Sequence, residues 1–221
     1  MPFFSGLNLR RRILGNPVSR LQAVKALAEA RNPEGIRALV EALVDPVAEV
    51  RRSASEALER IDLKWTQSPS ARAATPALVR VLSPWGKHKL ECQEAARDAL
   101  GKMGVAPGQL VAWTVAMMVW QRGLTIFSGE PELARRFCGV IMKALMGGGS
   151  SSNVGPLVDA AVDWSLAKDL PPKVLKVVLN TPLASMGDAP RLVIEDAIRA
   201  GVARQDLADA LRFVVDEVMQ D

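Results

Sequence analysis

Residues 45–61 read DPVAEVRRSASEALERI, and this stretch decides the fold. Val50, Ala54, Ala57, Leu58 and Ile61 stand at i, i+4, i+7, i+8 and i+11, which places them on one face of an α-helix. The same offsets carry Ser19, Ala23, Ala26, Leu27 and Ala30 upstream, and Cys92, Ala96, Ala99, Leu100 and Met103 downstream. Small residues fill the middle of each stripe and Leu recurs at one place. The helix in front repeats as well, because Ile36, Leu39, Val40 and Leu43 share their spacing with Thr75, Leu78, Val79 and Leu82. A repeated pair of amphipathic helices cannot bury its apolar face alone, so the pattern implies pairs stacked on one another.

The starts of these helices are also legible. Asn16-Pro17 puts a capping side chain before a proline that lacks the amide a first turn cannot satisfy, and the helix is expected to run to Arg31. Asn32-Pro33 opens the next. Asp45 stands where its carboxylate could cap the helix that follows, with Arg51 near enough to pair with it or with a neighbouring repeat. After Leu63 the segment KWTQSPSARAA reads as a loop insertion: Arg20 to Arg51 is 31 residues, whereas Arg51 to the equivalent Gln93 is 42.

The spacing of Asp45, Val50, Arg51, Ala54, Ala57 and Leu58 resembles the second-helix signature of HEAT repeats, particularly the short bacterial repeats of phycobilin lyases. The resemblance covers about residues 16–104. It implies an all-α, right-handed α-solenoid of five to six antiparallel helix pairs, and a ladder of Asp and Arg side chains joining them. This chain departs from the ladder, since Lys87 and Gln93 stand where a third Asp and Arg belong. Residues 1–15, with Leu7, Ile13 and Leu14, are expected to cap the open end. Phe3 and Phe4 beside Arg10, Arg11 and Arg12 could alternatively touch a membrane surface.

Beyond Gly104 the signature fades while helical patterns continue, at about 108–122, 131–146, 155–168, 171–180, 189–200 and 205–220. Arg204, Leu207, Ala210 and Leu211 recover its offsets with one substitution, so residues 105–221 are expected to continue the solenoid as degenerate repeats. The run from Gly147 to Asn153 reads as a flexible linker; no Lys-Ser/Thr follows it and no strand precedes it, as a phosphate-binding loop would require.

Composition narrows the function classes. Residues 1–104 hold 17 basic and 11 acidic side chains, leaving 11 and 13 for the rest. A surplus this modest fits a solubility device as well as an acidic partner. Cys92 and Cys138 lack the spacing of a disulfide framework or zinc site, and no signal-peptide pattern opens the chain, so a reducing cytoplasm is the expected location. The apolar run from Leu110 to Trp120 is half the length of a membrane span and reads as a buried helix. His88 has no nucleophile or carboxylate at motif spacing. No catalytic residue, cofactor or metal site is expected.

Opposite the apolar stripes lie Lys25, then Arg52, Glu56 and Glu59, then Glu94 and Asp98, an exposed ridge on successive second helices. Because second helices usually line the concave side of such arrays, this ridge is the expected contact surface for a protein or peptide. Two alternatives remain. One family of alkylpurine DNA glycosylases is built from HEAT-like repeats, and Asp163, Trp164, Trp113 and Trp120 are conceivable residues around an extruded base. The mixed charge of the ridge argues against a nucleic-acid backbone. The other alternative is tetrapyrrole handling of the phycobilin-lyase kind.

Overall fold

The computed structural model describes residues 16–31, 33–85, 87–147, 155–167, 170–182 and 189–219. The expected N-terminal cap, the cap at Asn32 and nearly all of the Gly-Ser linker lie outside the described residues. Those described form an all-α structure without strands, divided into two compact units. Of the described residues, unit 1 holds those within 1–81 and 87–105, and unit 2 those within 82–85 and 106–219.

Unit 1 begins with α1 (Pro17–Ala30), whose first turn is capped as the sequence requires: the Ser19 amide donates to Asn16 Oδ1 at 2.9 Å. Arg31 ends it in the left-handed conformation, at φ 47°. A 3₁₀ turn, Pro33–Gly35, leads into α2 (Ile36–Ala42), which buries Ile36, Leu39, Val40 and Ala42. Helix α3 (Ala48–Ile61) buries Val50, Ala54, Ala57 and Leu58, so the quoted stripe lies in the core of the unit except at its end, where Ile61 is half-buried. In α1 the stripe is shifted: Ala23 and Val24 are buried, while Ala26 and Ala30 are exposed.

The segment after Leu63 is more ordered than a loop. Trp65–Gln67 forms a 3₁₀ turn and Pro69–Arg72 the short helix α4, with the Ala71 amide donating to Ser68 Oγ at 3.1 Å. Ser-Pro supplies a cap and a first helical residue here, so the same dipeptide that reads as loop punctuation starts a turn of helix. Helix α5 (Thr75–Arg80) then buries Leu78 and Val79, and α6 (Leu90–Lys102) buries Cys92, Ala96, Ala99 and Leu100. Helix α1 packs along α3, α2 on α3 and α5 on α6, giving the stacked helix pairs of an α-solenoid.

Unit 2 is organised around α7 (Pro107–Ile126), a helix apolar on most sides. It meets α8 (Pro131–Gly147) at Gly123, where an added Cβ would lie 3.1 Å from the Phe137 ring and 3.3 Å from Ala134. The missing side chain lets the two backbones approach. Next come α9 (Gly155–Ala167), α10 (Pro172–Asn180) and α11 (Pro190–Arg199), each packed on its predecessor, with α11 also on α7. Finally α12 (Arg204–Phe213) returns onto both α7 and α8, burying Leu207, Ala208, Ala210 and Leu211, and ends in a π-helical turn, Val214–Val218. Among the described residues no helix is long and apolar enough to cross a membrane.

Candidate functional site

The ridge helices α1, α3 and α6 are held in place by one polar cluster as well as by packing. Asp45, 8% exposed, accepts from Arg20 through both carboxylate oxygens: Nε to Oδ2 at 2.6 Å and Nη2 to Oδ1 at 3.1 Å. Its Oδ1 also accepts the Val47 amide at 2.8 Å, an Asx-type turn just ahead of α3. The expected capping role is therefore displaced by one turn of chain. Asp45 shapes the entry to α3, while Val47 occupies the cap position without a side-chain bond.

Arg51 does not pair with the Asp45 carboxylate. Its Nη1 donates instead to the Asp45 backbone carbonyl at 2.8 Å and lies 4.0 Å from the Cys92 sulfur, whose thiol donates to the same carbonyl at 3.6 Å. The rung that does form links Arg20 to Asp45 at the turn of the following repeat. By sequence position, the residue that stands where Asp45 serves Arg20 is, for Arg51, Lys87.

All six ridge residues are exposed. Lys25 and Glu56 line a groove of about 250 Å³ between α1 and α3, together with Glu29 and Arg60. Arg52 and Asp98 line a second groove, of about 300 Å³, between α3 and α6. Glu59 and Glu94 are exposed outside both linings. The second groove is lined by Arg51, Lys102 and Trp65 too, and by the small residues Ala48, Ser55, Ala95 and Ala99. Lys102 reaches Asp98 at 2.7 Å, both being more than half exposed, so that pair is weak and easily exchanged. Trp65 is 8% exposed and comes from the inserted segment. Sequence reasoning passed over it, although a lone Trp in an otherwise polar insertion is a packing signal.

The other candidates are dispersed. Trp113 stacks on Phe213 with centroids 5.3 Å apart, and Trp120 is 2% exposed in the packing of α7. Trp164 is 42% exposed and lies 5.6 Å from Lys143 Nζ, beside the exposed Asp163. The residues considered for an extruded base thus have separate partners, and of the three tryptophans Trp120 is core while Trp113 is half-buried. His88 is exposed before α6, its imidazole held below the ordinary pKa by partial burial and then by Arg80. Among the described residues no group of three or more His, Cys, Asp or Glu could hold a metal ion.

Neither the curated proteins nor the solved structures contain a significant match to the chain. Residues 9–101, in contrast, match the family model of HEAT repeats, a span that takes in both rung residues, both grooves apart from Lys102, and nearly all of α6. Over this segment, somewhat less than half of its length, the chain is similar to HEAT repeats.

Proposed function

We propose that the protein is a scaffold that holds a protein or peptide partner along α1, α3 and α6. HEAT repeats commonly serve as scaffolds for protein interaction. The observation that carries the reading to this surface is the row of exposed, mixed-charge side chains Lys25, Glu56, Arg52 and Asp98 beside two open grooves on consecutive helices. Mixed charge on a rigid helical platform favours partner selection through complementary pairs more than it favours a uniformly anionic polymer.

The test is site-specific photo-crosslinking from Glu59 and from a control position in unit 2, Arg136, in the full chain in cells. The reading expects one protein species crosslinked from Glu59 and absent from Arg136, and lost when Lys25 and Arg52 are changed to Glu with the thermal unfolding transition unchanged. Equal labelling from both positions, or salt-dependent DNA binding abolished by the same changes, would overturn it.

A further inference from the structure

The rung between Arg20 and Asp45 shows what this architecture does with the arginine of a second helix: it meets the carboxylate of the next repeat's turn, where both partners are largely buried, 15% and 6% exposed. The position that should serve Arg51 in the same way carries Lys87. The sequence offset is the same in both repeats, since Asp45 precedes Arg51 by six residues and Lys87 precedes Gln93 by six. Arg51 is left with a neutral carbonyl and a thiol as neighbours, both approached through Nη1. The Asp45 carboxylate cannot neutralise it, being already engaged by Arg20 and the Val47 amide.

The consequence is local charge. Arg51 and Arg52 both line the α3/α6 groove, and Lys102 adds a third cation against the one carboxylate of Asp98. The groove between α1 and α3 has two of each sign, Lys25 and Arg60 against Glu29 and Glu56. The two neighbouring grooves therefore differ in character: one is balanced, the other carries an uncompensated guanidinium pair at a place where the architecture elsewhere supplies a carboxylate. Arg51 is half-buried and fixed by its bond to Asp45, so its remaining donors are preorganised, and the largely buried Trp65 ring in the lining of the same groove lowers the local dielectric.

We infer that the α3/α6 groove binds an acidic peptide segment whose carboxylate takes the place of the missing rung on Arg51, with Arg52 and Lys102 engaging its neighbours. This deepens the scaffold reading and rests on it, by assigning the partner's chemistry at one groove. An Asp or Glu side chain fits better than a nucleic-acid backbone, because the flanking Glu56, Glu59 and Glu94 repel a continuous line of phosphates.

The experiment is fluorescence anisotropy on the full chain, with a short fluorescein-labelled peptide alternating Glu and Leu, the matched peptide of Gln and Leu, and labelled single-stranded DNA. Saturable binding of the Glu peptide is expected, weakened about tenfold or more in the Gln peptide, the equivalent of one lost charge-assisted contact. Lys87→Asp, which offers the rung from within the chain, should weaken the Glu peptide by a similar factor without lowering the melting temperature. Arg52→Gln, an exposed change, should weaken it as well, and Asp98→Asn should tighten it. Equal affinity for Glu and Gln peptides, indifference to Lys87→Asp and Arg52→Gln, or preference for DNA would overturn the inference. A crosslinked partner at Glu59 that persists in those variants would sink the groove assignment while leaving the scaffold reading in place.

Discussion

Arg20 and Asp45, 25 residues apart, form a two-pronged ion pair that ties α1 to the turn before α3. Two parallel N–H to oxygen bonds fix both the spacing and the rotation of one repeat on the next, which packing of Ala stripes alone leaves loosely set. Asp45→Asn retains the shape and removes the charge from both bonds. We expect about 1.5–3 kcal/mol of destabilisation, the range for hydrogen bonds to charged groups, in urea unfolding. Breaking the exposed Arg37–Glu41 pair by Arg37→Ala should cost about 0.5 kcal/mol or less. Equal effects would mean the rung is ornamental.

Leu58 is fully buried at the centre of the α3 stripe. Leu58→Ala should cost about 2–5 kcal/mol, the sum of lost transfer energy and the cavity left behind. Leu63, 86% exposed only five positions further along, is the control, and Leu63→Ala should be near neutral. Thermal or urea unfolding of the two variants checks the phase of the repeat directly.

Burial pushes the Cys138 thiol far above its ordinary pKa, so the folded chain keeps a proton that the unfolded chain gives up. The neutral thiol's contribution is complete below the unfolded thiol pKa of about 8.5 and is lost as pH rises above it, by about 1.4 kcal/mol per pH unit. Cys138→Ala should flatten this alkaline slope. Unfolding followed between about pH 8 and 10 tests it, and in the same range the folded protein's Cys138 should resist a thiol reagent.

Arg122 is 5% exposed within unit 2, and its Nη2 donates to the Thr181 carbonyl at 2.6 Å, holding the chain where it leaves α10. Arg122→Met keeps much of the apolar stem and removes that donor. The expected cost is on the order of 1–3 kcal/mol. Hydrogen exchange should rise locally over residues 175–182, and exchange rising evenly through both units would contradict this assignment.

The fold was legible where periodicity was strong. The stripes of α3 and α6 and the spacing shared by α2 and α5 specify stacked helix pairs, and the second-half helices fall within a few residues of their sequence limits, because Pro and Gly punctuate them. The order inside KWTQSPSARAA was only faintly marked, by Ser68-Pro69 as a helix start and by the lone Trp65, and where Trp65 packs depends on tertiary contacts beyond the segment. Not legible at all was the return of α12 onto α7 and α8, contacts across about ninety and about seventy residues of chain that no local pattern marks. At the site, exposure of the ridge followed from helical geometry. Which carboxylate met which arginine did not, because that depends on the angle between successive repeats.

The closure of unit 2 by α12 has a consequence during synthesis. Helices α7 and α8 leave the ribosome with the surfaces that Leu207, Ala210 and Leu211 later cover still bare, and those surfaces stay open until residues 204–213 have been made. A nascent or prematurely terminated chain would present Trp113 and the flank of α8 to solvent, and so become a client for holding chaperones and a seed for aggregation.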